Sequence, residues 1–160
     1  MLGKKKVQRT EDQKRTAVLF VDEMNDLQSQ IAEYFLTALY PNVYEIRSAG
    51  PKHDHVDCEL VALMYQSGYD IRRATSKDFT ANNMITYDYV VFLQKATYDR
   101  IHGIIPFTGK QILKDFGSRA DFKATDDASL AECYLDLVER VRVWVKETFS
   151  SPENLDKMVI

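Results

Sequence analysis

Apolar and polar positions along this chain switch repeatedly between the period of a strand and that of a helix. Residues 16–21, TAVLFV, form a short continuous apolar run, the pattern of a strand covered on both faces. A polar octet follows at once: Asp22, Glu23, Met24, Asn25, Asp26, Leu27, Gln28 and Ser29. Residues 30–40 then turn helical, with Ile31, Phe35, Ala38 and Leu39 on one face, and Pro41-Asn42 stops the helix. A second strand is expected at 43–47, ended by Ser48-Ala49-Gly50-Pro51. Asp57 stands where it caps a helix reaching Gln66, with Leu60, Val61 and Met64 buried and Ser67-Gly68 closing it. Residues 71–74 fit neither period, and Ser76 is placed to cap a brief helix through Phe79 and Met84. Residues 87–93, YDYVVFL, read as another doubly covered strand. A helical turn at 96–101, a loop at 103–109 and a short last strand within 111–116 complete the middle.

The final helix has the clearest pattern. Ser129 is placed as its cap and Glu132 at the capping-box position. Leu130, Cys133, Leu137, Val141, Trp144 and Val145 make one apolar stripe, which Ser150-Ser151-Pro152 ends. Strand and helix alternate throughout. The expected fold is therefore α/β, a doubly wound three-layer sandwich of about four parallel strands with helices on both faces. The expected division is a basic tail at 1–15, one domain at 16–149 and a C-terminal tail at 150–160.

Composition narrows the function classes. The chain has 160 residues, enough for one core, and its 45% apolar and 28% charged content is ordinary for a globular protein. A net charge of −3 gives no reason to expect nucleic acid or a membrane surface as partner. Basic residues concentrate only in Lys4, Lys5, Lys6, Arg9, Lys14 and Arg15, which read as a solvated tail. No apolar run approaches the about 18 residues of a membrane span, and no signal-peptide pattern opens the chain, so a cytoplasmic location is expected. Cys58 and Cys133 have no metal spacing and fall on apolar helix faces, where they read as small core residues. His53 and His55 flank Asp54 without a third spaced ligand, and His102 stands alone. No metal site and no cofactor is expected.

The polar octet is the candidate site. A strand, a tight polar loop and a helix start together present backbone N–H groups to an anion. This loop nonetheless supplies three carboxylates and no basic residue. The surrounding order of motifs resembles the low-molecular-weight protein tyrosine phosphatase family, which shares its fold with thiol arsenate reductases. The resemblance spans roughly residues 16–149. It rests on VLFVDEMNDLQSQIAEYF, Arg47-Ser48-Ala49-Gly50, VDCELVALMYQSGYDIRRATSKDF and YDYVVFL. It implies that Asp22 stands where the family has its nucleophilic cysteine, Gln28 where it has the phosphate-binding arginine, and Met24 where it has a flexible glycine. Asn25 and Ser29 match the family's loop-bracing and thiolate-bonding residues, and Asp126 matches its general acid. The cysteines further along, on which the arsenate reductases rely, are missing between residues 70 and 110.

These replacements oppose phosphate binding. A unit-charge pair at ~4 Å and an effective dielectric constant of ~20 costs about 4 kcal/mol. Each lost charged hydrogen bond of an arginine fork removes about 1.5–3 kcal/mol. The expectation is that Asp22 itself sits in the N–H cradle, with its pKa lowered by the helix N-terminus. The functional expectation is a catalytically degenerate phosphatase relative that binds a protein partner, with a homodimer as one form. Two alternatives stand beside it. One is carboxylate or metal-based phosphoryl chemistry at Asp22. The other is a receiver-like signalling domain, whose first strand likewise ends in an acidic pair.

Overall fold

The computed structural model describes residues 15–160. Four parallel strands form one sheet: β1 (Thr16–Val21), β2 (Tyr44–Ala49), β3 (Thr86–Phe92) and β4 (Thr108–Leu113), in the order β2-β1-β3-β4. The helices are α1 (Gln28–Leu39), α2 (Cys58–Gln66) and α3 (Lys95–Ile101) between strands, and α4 (Asp127–Thr148) and α5 (Glu153–Asp156) after the last one. The expected doubly wound α/β sandwich is the observed one.

Alternation along β1 divides the core. Val18 and Phe20 face the larger layer, built on Ile31, Phe35, Leu60, Met64, Leu137, Val141 and Val145 from α1, α2 and α4. Ala17, Leu19 and Val21 face the smaller layer, with Val90, Phe92, Ile101 and Phe107. A central parallel strand is covered on both sides, which is why 16–21 and 87–93 read as unbroken apolar runs. Phe149, just past α4, closes the larger layer: its ring meets Phe20, Tyr44 and Trp144 edge-on, and its carbonyl accepts the Tyr44 hydroxyl at 2.8 Å.

Several expectations need correction. Residues 150–160 do not trail as a tail. Leu155 is fully buried, Val159 bridges Ile112 antiparallel, and the Ile160 N–H donates to the Gln111 carbonyl at 3.0 Å. Ser129 does not cap α4; Asp126 does, accepting the Ser129 N–H at 2.8 Å, while Ser129 is the capping-box partner. The expected helix after Ser76 is a single 3-10 turn at Phe79–Ala81 capped by Asp78. Cys58 is exposed and Cys133 half-buried, so neither is a core residue. Of the basic tail only Arg15 lies within the described residues, donating to the Pro41 carbonyl at 3.4 Å.

Candidate functional site

The site lies at the C-terminal end of the sheet, where β1 hands over to α1. Asp22 is fully buried. Its Oδ2 accepts the Ser29 N–H at 2.8 Å and the Leu27 N–H at 3.4 Å, so a side chain of the loop occupies the loop's own donors. Oδ1 is buried with no hydrogen-bond partner among the described residues. The expected direction of the pKa shift is overturned. Burial raises it, and that outweighs the Ser29 and Leu27 N–H groups that lower it.

Asn25 is the conformational pivot. Its φ of 50° makes it the left-handed residue of the loop, a role Asn fills at low steric cost. Met24, at the position where the resemblance implies a glycine, is not at positive φ. Asn25 Nδ2 donates to Ser29 Oγ at 2.9 Å, and its Oδ1 accepts the Lys77 N–H at 2.8 Å and Gln30 Nε2 at 3.0 Å. Met24 is held through its carbonyl by the Ser76 hydroxyl at 2.7 Å. The Ser48-Ala49-Gly50 turn explains itself here. A Cβ on Gly50 would lie 2.5 Å from the Asp22 carbonyl oxygen and 2.9 Å from the Asn25 nitrogen, so the loop backbone rests on a glycine.

Gln28 is fully buried and turned toward the β4–α4 connection: Nε2 donates to the Gly117 carbonyl and Oε1 accepts Gln94 Nε2 at 3.3 Å. Gln94 Oε1 in turn accepts the Glu23 N–H at 2.9 Å. The remaining loop acids find basic partners through the fold. Arg100 from α3 donates to both oxygens of Glu23, and Thr97 Oγ1 adds a bond at 2.8 Å. Arg119 bridges two elements, with Nη2 on Asp26 Oδ2 at 2.7 Å and Nη1 on Asp57 Oδ2 at 2.9 Å. The Tyr134 hydroxyl donates to the same Asp57 oxygen at 2.6 Å. Burial, and then this hydrogen bond, raises the Tyr134 pKa.

Asp126 is not brought to the loop. It is exposed and committed to capping α4, and its Ser129 N–H bond lowers its pKa. The downstream acid beside the loop is Asp121, which accepts the Ser118 N–H at 2.8 Å and shares a cleft of about 310 Å³ with Glu23, Gln94 and Gly117. A second cleft, about 230 Å³, lies between Met24, Leu27 and Arg119. Sequence reasoning missed Gln94, Arg100, Arg119 and Asp121. Each lies more than 60 residues downstream of the loop, and only the glycine turn at Gly117 marks the segment locally. His53 pairs with Asp78 at 2.5 Å, His55 with Asp54 at 2.9 Å, and His102 stacks on Tyr98. Among the described residues no three potential ligands gather as a metal set.

A family model described as low molecular weight phosphotyrosine protein phosphatase matches residues 17–147. The chain belongs to this family. The receiver-like alternative is thereby set aside, and the sheet and loop agree. None of the curated proteins matches the chain. Similar solved structures include an arsenate reductase in its phosphate binding state, 23% identical at a TM-score of 0.63, covering 82% of this chain and 95% of that one. Wzb of Vibrio vulnificus in complex with benzylphosphonate is 19% identical at 0.60, covering 82% and 98%. Wzb of Escherichia coli K30 with sulphate is 18% identical at 0.61, covering 83% and 98%. At these identities the likeness is one of fold. The loop that follows β1 in this member carries Asp22 and Gln28. No helix among the described residues is long and apolar enough to cross a membrane.

Proposed function

We propose that this member of the low molecular weight phosphatase family does not hydrolyse phosphate monoesters and works by binding a protein partner through the surface around its old phosphate loop. One observation carries the reading: Asp22 Oδ2 takes the Leu27 and Ser29 N–H groups that an anion would need. Charged or protonated, the carboxyl fills the same space. The missing chemistry points the same way. Position 22 offers no thiolate, and Gln28, with its amide on the Gly117 carbonyl, offers no guanidinium fork. Proteins of similar fold have been solved in a phosphate binding state, with benzylphosphonate and with sulphate. Here the equivalent role is taken by the chain's own acid. A carboxylate nucleophile at Asp22 would need an exposed oxygen, whereas the side chain is fully buried.

The test has two parts. The wild type is assayed on para-nitrophenyl phosphate with and without Mg²⁺ and titrated with vanadate. No turnover and no saturable vanadate binding are expected, and efficient turnover overturns the proposal. The double variant Asp22→Cys, Gln28→Arg is then titrated with vanadate. Emptying the cradle and restoring a cation should produce binding. Partner capture from the native source, read with sedimentation, separates a second copy of this chain from a different protein.

A further inference from the structure

A cavity of about 460 Å³ lies apart from the loop. It lies between one face of α1 and the segment 70–77. Its apolar wall is Tyr34, Ala38, Ile71 and Ala74, and Ile71 is 6% exposed. The Tyr34 ring is held by an edge contact to Phe35 at 5.2 Å and a tilted contact to Tyr69 at 5.8 Å. The walls also hold four charged side chains, and their commitments differ. Asp70 gives both oxygens to the Arg72 guanidinium at 2.9 Å and one to the Arg72 N–H at 3.0 Å. Glu33 accepts the Ser48 hydroxyl at 2.5 Å and sits 4.0 Å from Lys77 Nζ. Arg73 makes no hydrogen bond and no ion pair among the described residues. Apart from a longer-range attraction to Asp70, the Arg73 guanidinium is left without a hydrogen-bonded partner on this cavity, and its flat fork suits a carboxylate or sulfonate.

We infer that this cavity is a binding site for a small organic anion with an aromatic or aliphatic body: the body lies against Tyr34, Ile71 and Ala38, and Arg73 holds the anionic group. The volume falls in the usual range for small-molecule sites, and an apolar wall beside a guanidinium that makes no hydrogen bond suits an anion with an apolar body. The inference does not depend on whether the loop at Asp22 hydrolyses anything.

A pair of fluorescent probes tests it on the full chain. 8-Anilinonaphthalene-1-sulfonate carries an aromatic body and an anion, and N-phenyl-1-naphthylamine has the body alone. The wild type should bind the sulfonate at one saturable site. Arg73→Gln should weaken the sulfonate by about tenfold or more, the loss of a charged hydrogen bond, and change the neutral probe by less than twofold. Arg73→Lys should retain most sulfonate binding. Ala38→Trp, which places an indole in the cavity, should abolish both. Arg73 and Ala38 are exposed, so the variants should keep the wild-type circular dichroism spectrum. Absence of a saturable sulfonate site, an equal effect of Arg73→Gln on both probes, or undiminished binding in Ala38→Trp overturns the inference.

Discussion

Asp22 sets the physical character of the site. A fully buried carboxyl with one oxygen on two N–H groups and the other without a partner prefers its proton more than an unfolded chain does. The sign of the stability effect follows. The favourable contribution of the protonated form is complete below the ordinary value of 3.8 and is lost as pH rises through the raised native value. Asp22→Asn keeps an acceptor for Ser29 and removes the titration. Its stability relative to wild type should therefore climb as pH increases from about 4, read from urea midpoints at three pH values. A difference independent of pH would contradict the burial argument. At the next shell, Arg119 is 42% exposed but its two carboxylate partners are 13% and 9% exposed. Solvent screens the guanidinium, so Arg119→Ala should cost about 1–2 kcal/mol, mainly by leaving Asp26 and Asp57 under-bonded. Denaturant unfolding measures this directly.

At the level of elements, local patterns were legible where the chain supplies its own partner. The apolar runs of β1 and β3 follow from burial on both faces, and the Asp57 cap of α2 is visible because its bonds to the Glu59 and Leu60 N–H groups span only two and three residues. The start of α4 was misread by three residues. Asp126 and Ser129 can each accept a terminal N–H, and both sit in a row of capping types, Thr125-Asp126-Asp127-Ala128-Ser129. The structure decides for Asp126, whose bond to the Ser129 N–H and whose extended backbone define the cap. The same fact removes Asp126 from the site, because an acid that caps a helix is already committed. Asp126→Ala should destabilise the protein by about 1 kcal/mol, and Asp127→Ala by much less. Thermal or urea unfolding compares them. Gly50 is the other element-scale constraint. The β2 turn and the loop backbone approach closely enough that Gly50→Ala should cost about 1–3 kcal/mol and shift the amide resonances of Asp22 to Asn25.

Across the whole molecule, what the sequence hid is what the fold brings together from afar. Glu23 is 77 residues from Arg100, and Asp26 is 93 from Arg119. No pattern within one element announces such pairs, so the loop read as an unpaired acidic cluster when each of its acids has its own answer. The C-terminus was hidden for a similar reason. Residues 150–160 follow a helix stop and contain Ser, Pro and charged residues, which look like a tail in isolation. In the fold, Leu155 reaches the main core from α5 and the last residues pair with β4, covering part of a strand edge that would otherwise stay open. If that packing contributes to the core and does not merely follow it, Leu155→Ala should cost about 2–5 kcal/mol, the range for emptying a buried leucine site. Truncation after Ser150 should lower stability by at least as much, since it also removes the bond from Ile160 to Gln111. A stable truncated protein with the wild-type urea midpoint would show that residues 151–160 lie on the core without supporting it.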